Sequence, residues 1–292
     1  MPRILYVTDP VAHLRASGCL NNYLNDLLFF GLKEVYGDDV IASNVITPLY
    51  ASLRPTVDPR HLWGRGFTGC WLLAGEPHAE QDVTAKIADR YYDVIIYGSI
   101  RDCADHYDLV HRAYPPGRVL LVDGNDDTGL HPLFERHPYF KRELTRSHPN
   151  LRPISFAIPT PKLCTAPEIR KSKVFATCFP GNPVTYVFDT EEAYFADYRA
   201  SLFAFTMKKH GWDCLRHYEI LANRCVPLFF DLEKCPPLTM ATFPRDLCAA
   251  AMDLFRNFQQ ERYILLEKAM FDHSVRHLTT RTLGNYVMSC LP

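Results

Sequence analysis

Ten cysteines are spread along the chain without one C-x-x-C pair. Buried thiols in a reducing compartment are the simplest reading of that spacing. An excess of one charge is missing too: 32 Lys and Arg stand against 33 Asp and Glu, a net charge of −1. Such a chain has no global basic field, so non-specific nucleic-acid binding is not expected. No apolar run reaches the ~18–20 residues that a membrane span needs. No signal peptide is visible ahead of the strand-like residues 4–7. The expectation is a soluble cytoplasmic protein with no integral membrane segment, touching a membrane only peripherally. Nucleotide signatures are absent as well. No G-x-G-x-x-G follows the first strand-like run and no Walker A sequence occurs, which lowers the NAD and P-loop readings. Trp63-Gly64-Arg65-Gly66 lacks the lysine and following helix of a phosphate loop. His273 and His277 lie four apart, but no H-E-x-x-H frame or third ligand accompanies them. A surface pair, and no metal, is expected.

What is present is an alternation of apolar runs and helical patterns over 292 residues, 47% of them hydrophobic. Residues 3–8, 40–45, 92–97, 118–122 and 152–159 read as strands. Helical patterns occupy residues 14–35, 81–91 and 105–114, and residues 50–80 read as an irregular loop. The same order recurs after about residue 160. Strands are expected at 173–178 and 202–206, and helices at 191–200, 249–270 and 274–288. This order predicts an α/β protein of two doubly wound domains, residues 1–160 and 161–292.

Charged residues sit where such sheets bind ligands. Asp9 and His13 follow the first strand, at its carboxyl edge. The strand at 118–122 runs into Asp123-Gly124-Asn125-Asp126-Asp127. Carboxylates there can hold a divalent ion or supply a base, although Asp, Asn and Gly are also favoured turn residues. The expectation is an acid-rich loop facing the cleft, with Asp123 best placed and no metal. Lys141 and Arg142 read as surface or cleft charge.

The densest stretch is residues 206–231, TMKKHGWDCLRHYEILANRCVPLFFD. Lys208 and Lys209 precede Gly211, Asp213 stands at an expected N-cap, and Arg216 follows three residues on. One helix face is apolar, carrying Cys214, Leu215, Tyr218, Leu221 and Ala222; Arg216 lies on the other side. A solvated face with one local Arg216–Glu219 pair is the plainer reading, worth only ~0.2–0.5 kcal/mol. Two lysines at the positive end of a helix that leads into a buried strand point instead to an anion site.

This stretch resembles the donor-binding segment of GT-B-type glycosyltransferases, in particular exostosin-like and related sugar transferases. Their pattern, roughly K-x-G-W-D-x-x-R-x-Y-E-x-L-A-x-G-C-V-P, is matched by Lys209, Gly211, Trp212, Asp213, Arg216, Tyr218, Glu219, Leu221, Ala222, Cys225, Val226 and Pro227. Many relatives have Gly where this chain has Arg224. The resemblance covers the last third of the chain and implies two Rossmann-like domains facing a cleft, the first on the acceptor side. It implies a metal-independent transferase that moves a sugar from a nucleotide-sugar donor to a hydroxyl acceptor. That acceptor would be a glycan, lipid-linked or protein-linked, or another hydroxyl compound. Lys208, Lys209, the Gly211–Trp212 backbone and Arg216 would hold the leaving diphosphate, and Glu219 would accept the ribose hydroxyls. An acceptor base would come from Asp9, His13 or Asp123. The competing expectation is an inactive relative on the same scaffold, serving as a binding partner.

Overall fold

A computed structural model describes residues 1–10, 18–166 and 168–291 of the chain. The first sheet contains β1 (Ile4–Val7), β2 (Val40–Ala42), β3 (Val94–Tyr97), β4 (Val119–Asp123), β5 (Tyr139–Lys141) and β6 (Leu151–Pro153). All six are parallel, in the order β2-β1-β3-β4-β5-β6. Both faces are covered, which is why β1 and β3 read as unbroken apolar runs. Ile4 and Tyr6 of β1 join one core while Leu5 and Val7 join the opposite one; β3 and β4 alternate likewise.

Helix α1 (Tyr23–Tyr36) covers the first face. The Asn22 side chain caps it by accepting the Asn25 N–H at 3.3 Å. The helix therefore begins later than the apolar pattern from residue 14 suggests. Short helices α2 (Val83–Ala88) and α3 (Tyr107–Ala113) cover the other face with Ile87 and Val110.

A second, three-stranded parallel sheet holds β7 (Lys173–Phe175), β8 (Ser201–Thr206) and β9 (Val226–Phe229) in sequential order. Helix α4 (Glu191–Ala200) joins β7 to β8, and α5 (Leu215–Ala222) joins β8 to β9. The architecture is mixed α/β with two parallel sheets.

Three expectations are corrected. The helix expected over 249–270 is two, α6 (Arg245–Arg256) and α7 (Gln260–His277), broken at Asn257 with ψ of 69°. Of the surface-or-cleft alternatives for Lys141 and Arg142, the surface one is overturned: Lys141 ends β5, and both are buried. Asp213 is not the cap of α5; Cys214 takes that position, without a side-chain hydrogen bond. Arg224 adopts the left-handed backbone, φ 55°, that relatives give to glycine. Its guanidinium is fixed there by Glu267 at 2.5 Å and by the Ala166 carbonyl at 2.9 Å.

The last helix, α8 (Thr280–Ser289), returns to the first sheet and packs on α1, adding Leu283, Val287 and Met288 to that core. The two helices touch at glycine. A Cβ on Gly31 would lie 2.0 Å from the Thr280 carbonyl oxygen, and one on Gly284 2.9 Å from the Gly31 carbonyl carbon. Backbone fills both positions, so no side chain fits.

Candidate functional site

Strand order reverses between β1 and β3, and ligands of open parallel sheets bind beyond the carboxyl ends at such a point. A cleft of about 1130 Å³ lies there. Asp9 follows β1, Arg101 and Asp102 follow β3, Asp126 follows β4 and Arg142 follows β5, and all line it. The opposite wall uses the carboxyl ends of the second sheet: Cys178 after β7, then Lys209 and Gly211 after β8. Arg216 and Glu219 of α5 complete it. Both sheets thus aim their carboxyl edges at one cavity.

Arg142 stitches the walls together. Its side chain is 4% exposed. Nε donates to the Gly124 carbonyl at 2.8 Å, Nη1 to the Asp213 carbonyl and Nη2 to the Asp126 carboxylate. Its guanidinium lies 4.5 Å from the centre of the Phe156 ring. Glu143 accepts the Asp213 N–H at 3.0 Å. Asp213 in turn accepts from the Phe156 N–H at 2.8 Å and the Tyr218 hydroxyl at 2.6 Å. Burial pushes the Asp213 carboxyl up to about 6, against the pull of Arg142 and these donors. Gly211 passes close to the same carboxylates: an added Cβ would be 2.5 Å from Glu143 Oε1 and 3.0 Å from Asp126 Oδ1. Asp213 is therefore a structural clamp, and the first sheet sets the shape of the 209–213 loop.

Arg216 differs. Its Nε and Nη1 are buried and have no hydrogen-bond partner among the described residues. The guanidinium lies 5.1 Å from the centre of the Tyr186 ring and lines the cleft. A charged fork with two idle donors at the start of a helix is an anion receptor in waiting.

Glu219, one turn on, is 6% exposed. It accepts from the Thr68 hydroxyl at 2.5 Å and the Tyr194 hydroxyl at 2.7 Å. Burial raises its pKa, and those two bonds lower it. Thr68 comes from the first wall and has a φ of 69°. A β-branched residue in that region carries strain of ~1–3 kcal/mol. Around it, Arg65 pairs with Asp189, and the Phe67 ring lies 5.7 Å from that of Tyr194. The segment expected as an irregular loop is a run of 3₁₀ turns that docks on the second lobe.

The remaining candidates separate. Asp9 lines the cleft and is buried. His13 lies outside the described residues. Asp123 is 1% exposed and does not line the cleft. It accepts from Lys141 at 2.9 Å, the Tyr139 hydroxyl at 2.6 Å and the Asn125 N–H at 3.0 Å. Burial lowers the Lys141 pKa, and Asp123 acts in the opposite sense. Lys209 lines the cleft, but Lys208 does not; it lies 5.2 Å from the Trp212 ring, which packs against the second core. His273 and His277 have ring centres 4.7 Å apart, and His273 bonds the Thr242 carbonyl at 2.7 Å. Among the described residues no group of His, Cys, Asp and Glu could hold a metal, and no helix is long and apolar enough to cross a membrane.

Sequence reasoning missed Asn21 as a cleft residue and Thr68 as the partner of Glu219, and it left Arg142 undecided between surface and cleft. The only signal for Arg142 is its place at the end of a strand, hidden by the charged run KRE. Asn21 is one polar position within the helical pattern expected over residues 14–35, and Thr68 lies in a segment with no periodic pattern. No protein-family model matches the chain, and a search of curated proteins returns no match.

Proposed function

We propose that the protein is a metal-independent glycosyltransferase that moves a sugar from a nucleotide-sugar donor to a hydroxyl acceptor, a glycan above all. The observation that carries this reading is Arg216 on the cleft wall, whose buried Nε and Nη1 have no hydrogen-bond partner among the described residues. In sugar transfer the glycosidic bond to the diphosphate breaks as the acceptor oxygen attacks, and charge grows on the leaving phosphate. Arg216 and Lys209 answer that charge, and the amino end of α5 adds its dipole. Glu219 retains lone pairs beside its two hydroxyl donors and accepts the ribose hydroxyls. Asp9, on the opposite wall, is the base that takes the acceptor proton. The resemblance of residues 208–227 to the donor segment of sugar transferases supports the same assignment. On this reading residues 1–160 form the acceptor half and 161–292 the donor half of two Rossmann-like units, working in the cytoplasm.

The test is a thermal-shift screen with UDP, GDP, ADP and CMP on wild type and Arg216→Met. A ligand at 100 times its Kd stabilises the fold by ~2.7 kcal/mol. One nucleotide should raise the wild-type Tm and leave the variant unmoved. Absence of any shift in folded wild type would favour a non-catalytic binding protein.

A further inference from the structure

We propose that the side-chain amide of Asn21 reads a hydroxyl of an uncharged, polyhydroxylated ligand, a carbohydrate, held on the first wall of the cleft. Asn21 is 3% exposed and lines the cavity. Its Oδ1 accepts the Trp63 backbone N–H at 2.8 Å. That bond fixes which way round the amide stands, because an NH₂ group cannot accept it. The Nδ2 group is then a donor, buried near the Tyr23 hydroxyl but without a well-formed hydrogen bond among the described residues. Buried donors are nearly always satisfied, and one left open on a cavity wall is a place for a ligand oxygen.

The neighbours decide which oxygen. Asp9 and Asp102 share this side of the cleft, and carboxylates repel phosphate while accepting hydroxyl hydrogens. The arginines lining the cavity are neutralised: Arg60 by Asp58, Arg65 by Asp189, Arg101 by Asp127 and Arg142 by Asp126. Arg216, on the other wall, has no hydrogen-bond partner on Nε or Nη1 among the described residues, and Glu219 acts on it only through space. The cleft is thus divided, with an anion receptor on the second sheet's side and an acid-and-amide surface on the first. A hydroxyl donates and accepts at once, so it suits a surface that pairs carboxylates with an idle amide donor. This inference extends the transferase reading and rests on it only for the identity of the anionic ligand.

The experiment measures binding of two probes to three proteins by calorimetry and saturation-transfer NMR. The probes are UDP and a panel of methyl glycosides of common hexoses and N-acetylhexosamines. The proteins are wild type, Asn21→Asp and Arg216→Met. Asn21→Asp keeps the acceptor for Trp63 and deletes the donor. It should weaken a glycoside bound by wild type about tenfold, the worth of one hydrogen bond of ~1.4 kcal/mol, with UDP affinity unchanged. Arg216→Met should do the reverse. Should Asn21→Asp fail to fold, Asn21→Thr replaces it, retaining an oxygen for Trp63 in a smaller side chain. Equal glycoside affinity in wild type and the Asn21 variant overturns the proposal. So does a wild type that binds UDP but no glycoside, and there the nucleotide reading survives alone. Glycoside binding that depends on Asn21, with no UDP binding, sinks the nucleotide reading and keeps this one.

Discussion

Arg142 and Arg216 are two buried arginines on opposite walls of one cleft, and they are wired in opposite ways. Arg142 has a protein acceptor for each of its three nitrogens. Arg216 has two buried nitrogens idle among the described residues. A saturated buried guanidinium is part of the frame, and its removal strands the groups around it. An unsaturated one costs stability in the free protein and returns it when an anion arrives. The same side chain thus serves as a rivet on one wall and a receptor on the other. His217 repeats the contrast inside α5. Next to the open Arg216, it is fully buried, with Nδ1 on the Thr206 hydroxyl at 2.7 Å and Nε2 on the Trp212 carbonyl at 2.9 Å.

The sharpest way to break this comparison is to shorten both arginines. Arg142→Met should cost about 3 kcal/mol in urea unfolding, because the Gly124 and Asp213 carbonyls lose a charged donor. Arg216→Met should stay within about 1 kcal/mol of wild type, since it removes two unsatisfied donors. Equal losses would mean that Arg216 is structural after all. A smaller effect comes from His217. Burial lowers its pKa to about 3, against an ordinary 6.5. Below pH 6.5 the unfolded chain takes up a proton that the folded protein refuses. Stability from this group is therefore complete above pH 6.5 and falls as pH drops toward 3. Between pH 8 and 5, wild type should lose about 2 kcal/mol relative to His217→Gln. Parallel pH curves for the two proteins would contradict the burial of a neutral imidazole. The smallest effect concerns the bridge between walls. Thr68→Val should cost about 1.5 kcal/mol by leaving Glu219 with a single hydroxyl donor, while Thr68→Ser keeps the bond. Identical losses in both variants would show that packing, not the hydroxyl, matters there.

Much of the frame was legible in the chain because burial on two faces leaves a plain mark. β1 and β3 are unbroken apolar runs, β4 is one up to Asp123, and so is β9 once Pro227 is allowed for. β5 was not legible, since its apolar Tyr139 and Phe140 run straight into Lys141, Arg142 and Glu143. Charges are read as exposed unless their partners are known, and here the partners are Asp123, Gly124, Asp126 and Asp213. The break between α6 and α7 was also hidden, because Asn257 interrupts a pattern that is helical on both sides.

The sequence by itself determined the alternation of apolar strands and helices, the helix-then-strand order of α5 and β9, and the cluster of charge at residues 208–219. Those features rest on local periodicity, where one face must be apolar to be buried. Only the tertiary structure decided which charges are spent and which are idle. Asp123 is consumed by Lys141 and Tyr139, Arg142 by a loop of the second lobe, and Glu219 meets Thr68 from 151 positions away. Whether a buried polar group is satisfied depends on neighbours brought by folding. Asn21 and Arg216 show it most plainly, for nothing in their own segments sets their open donors apart.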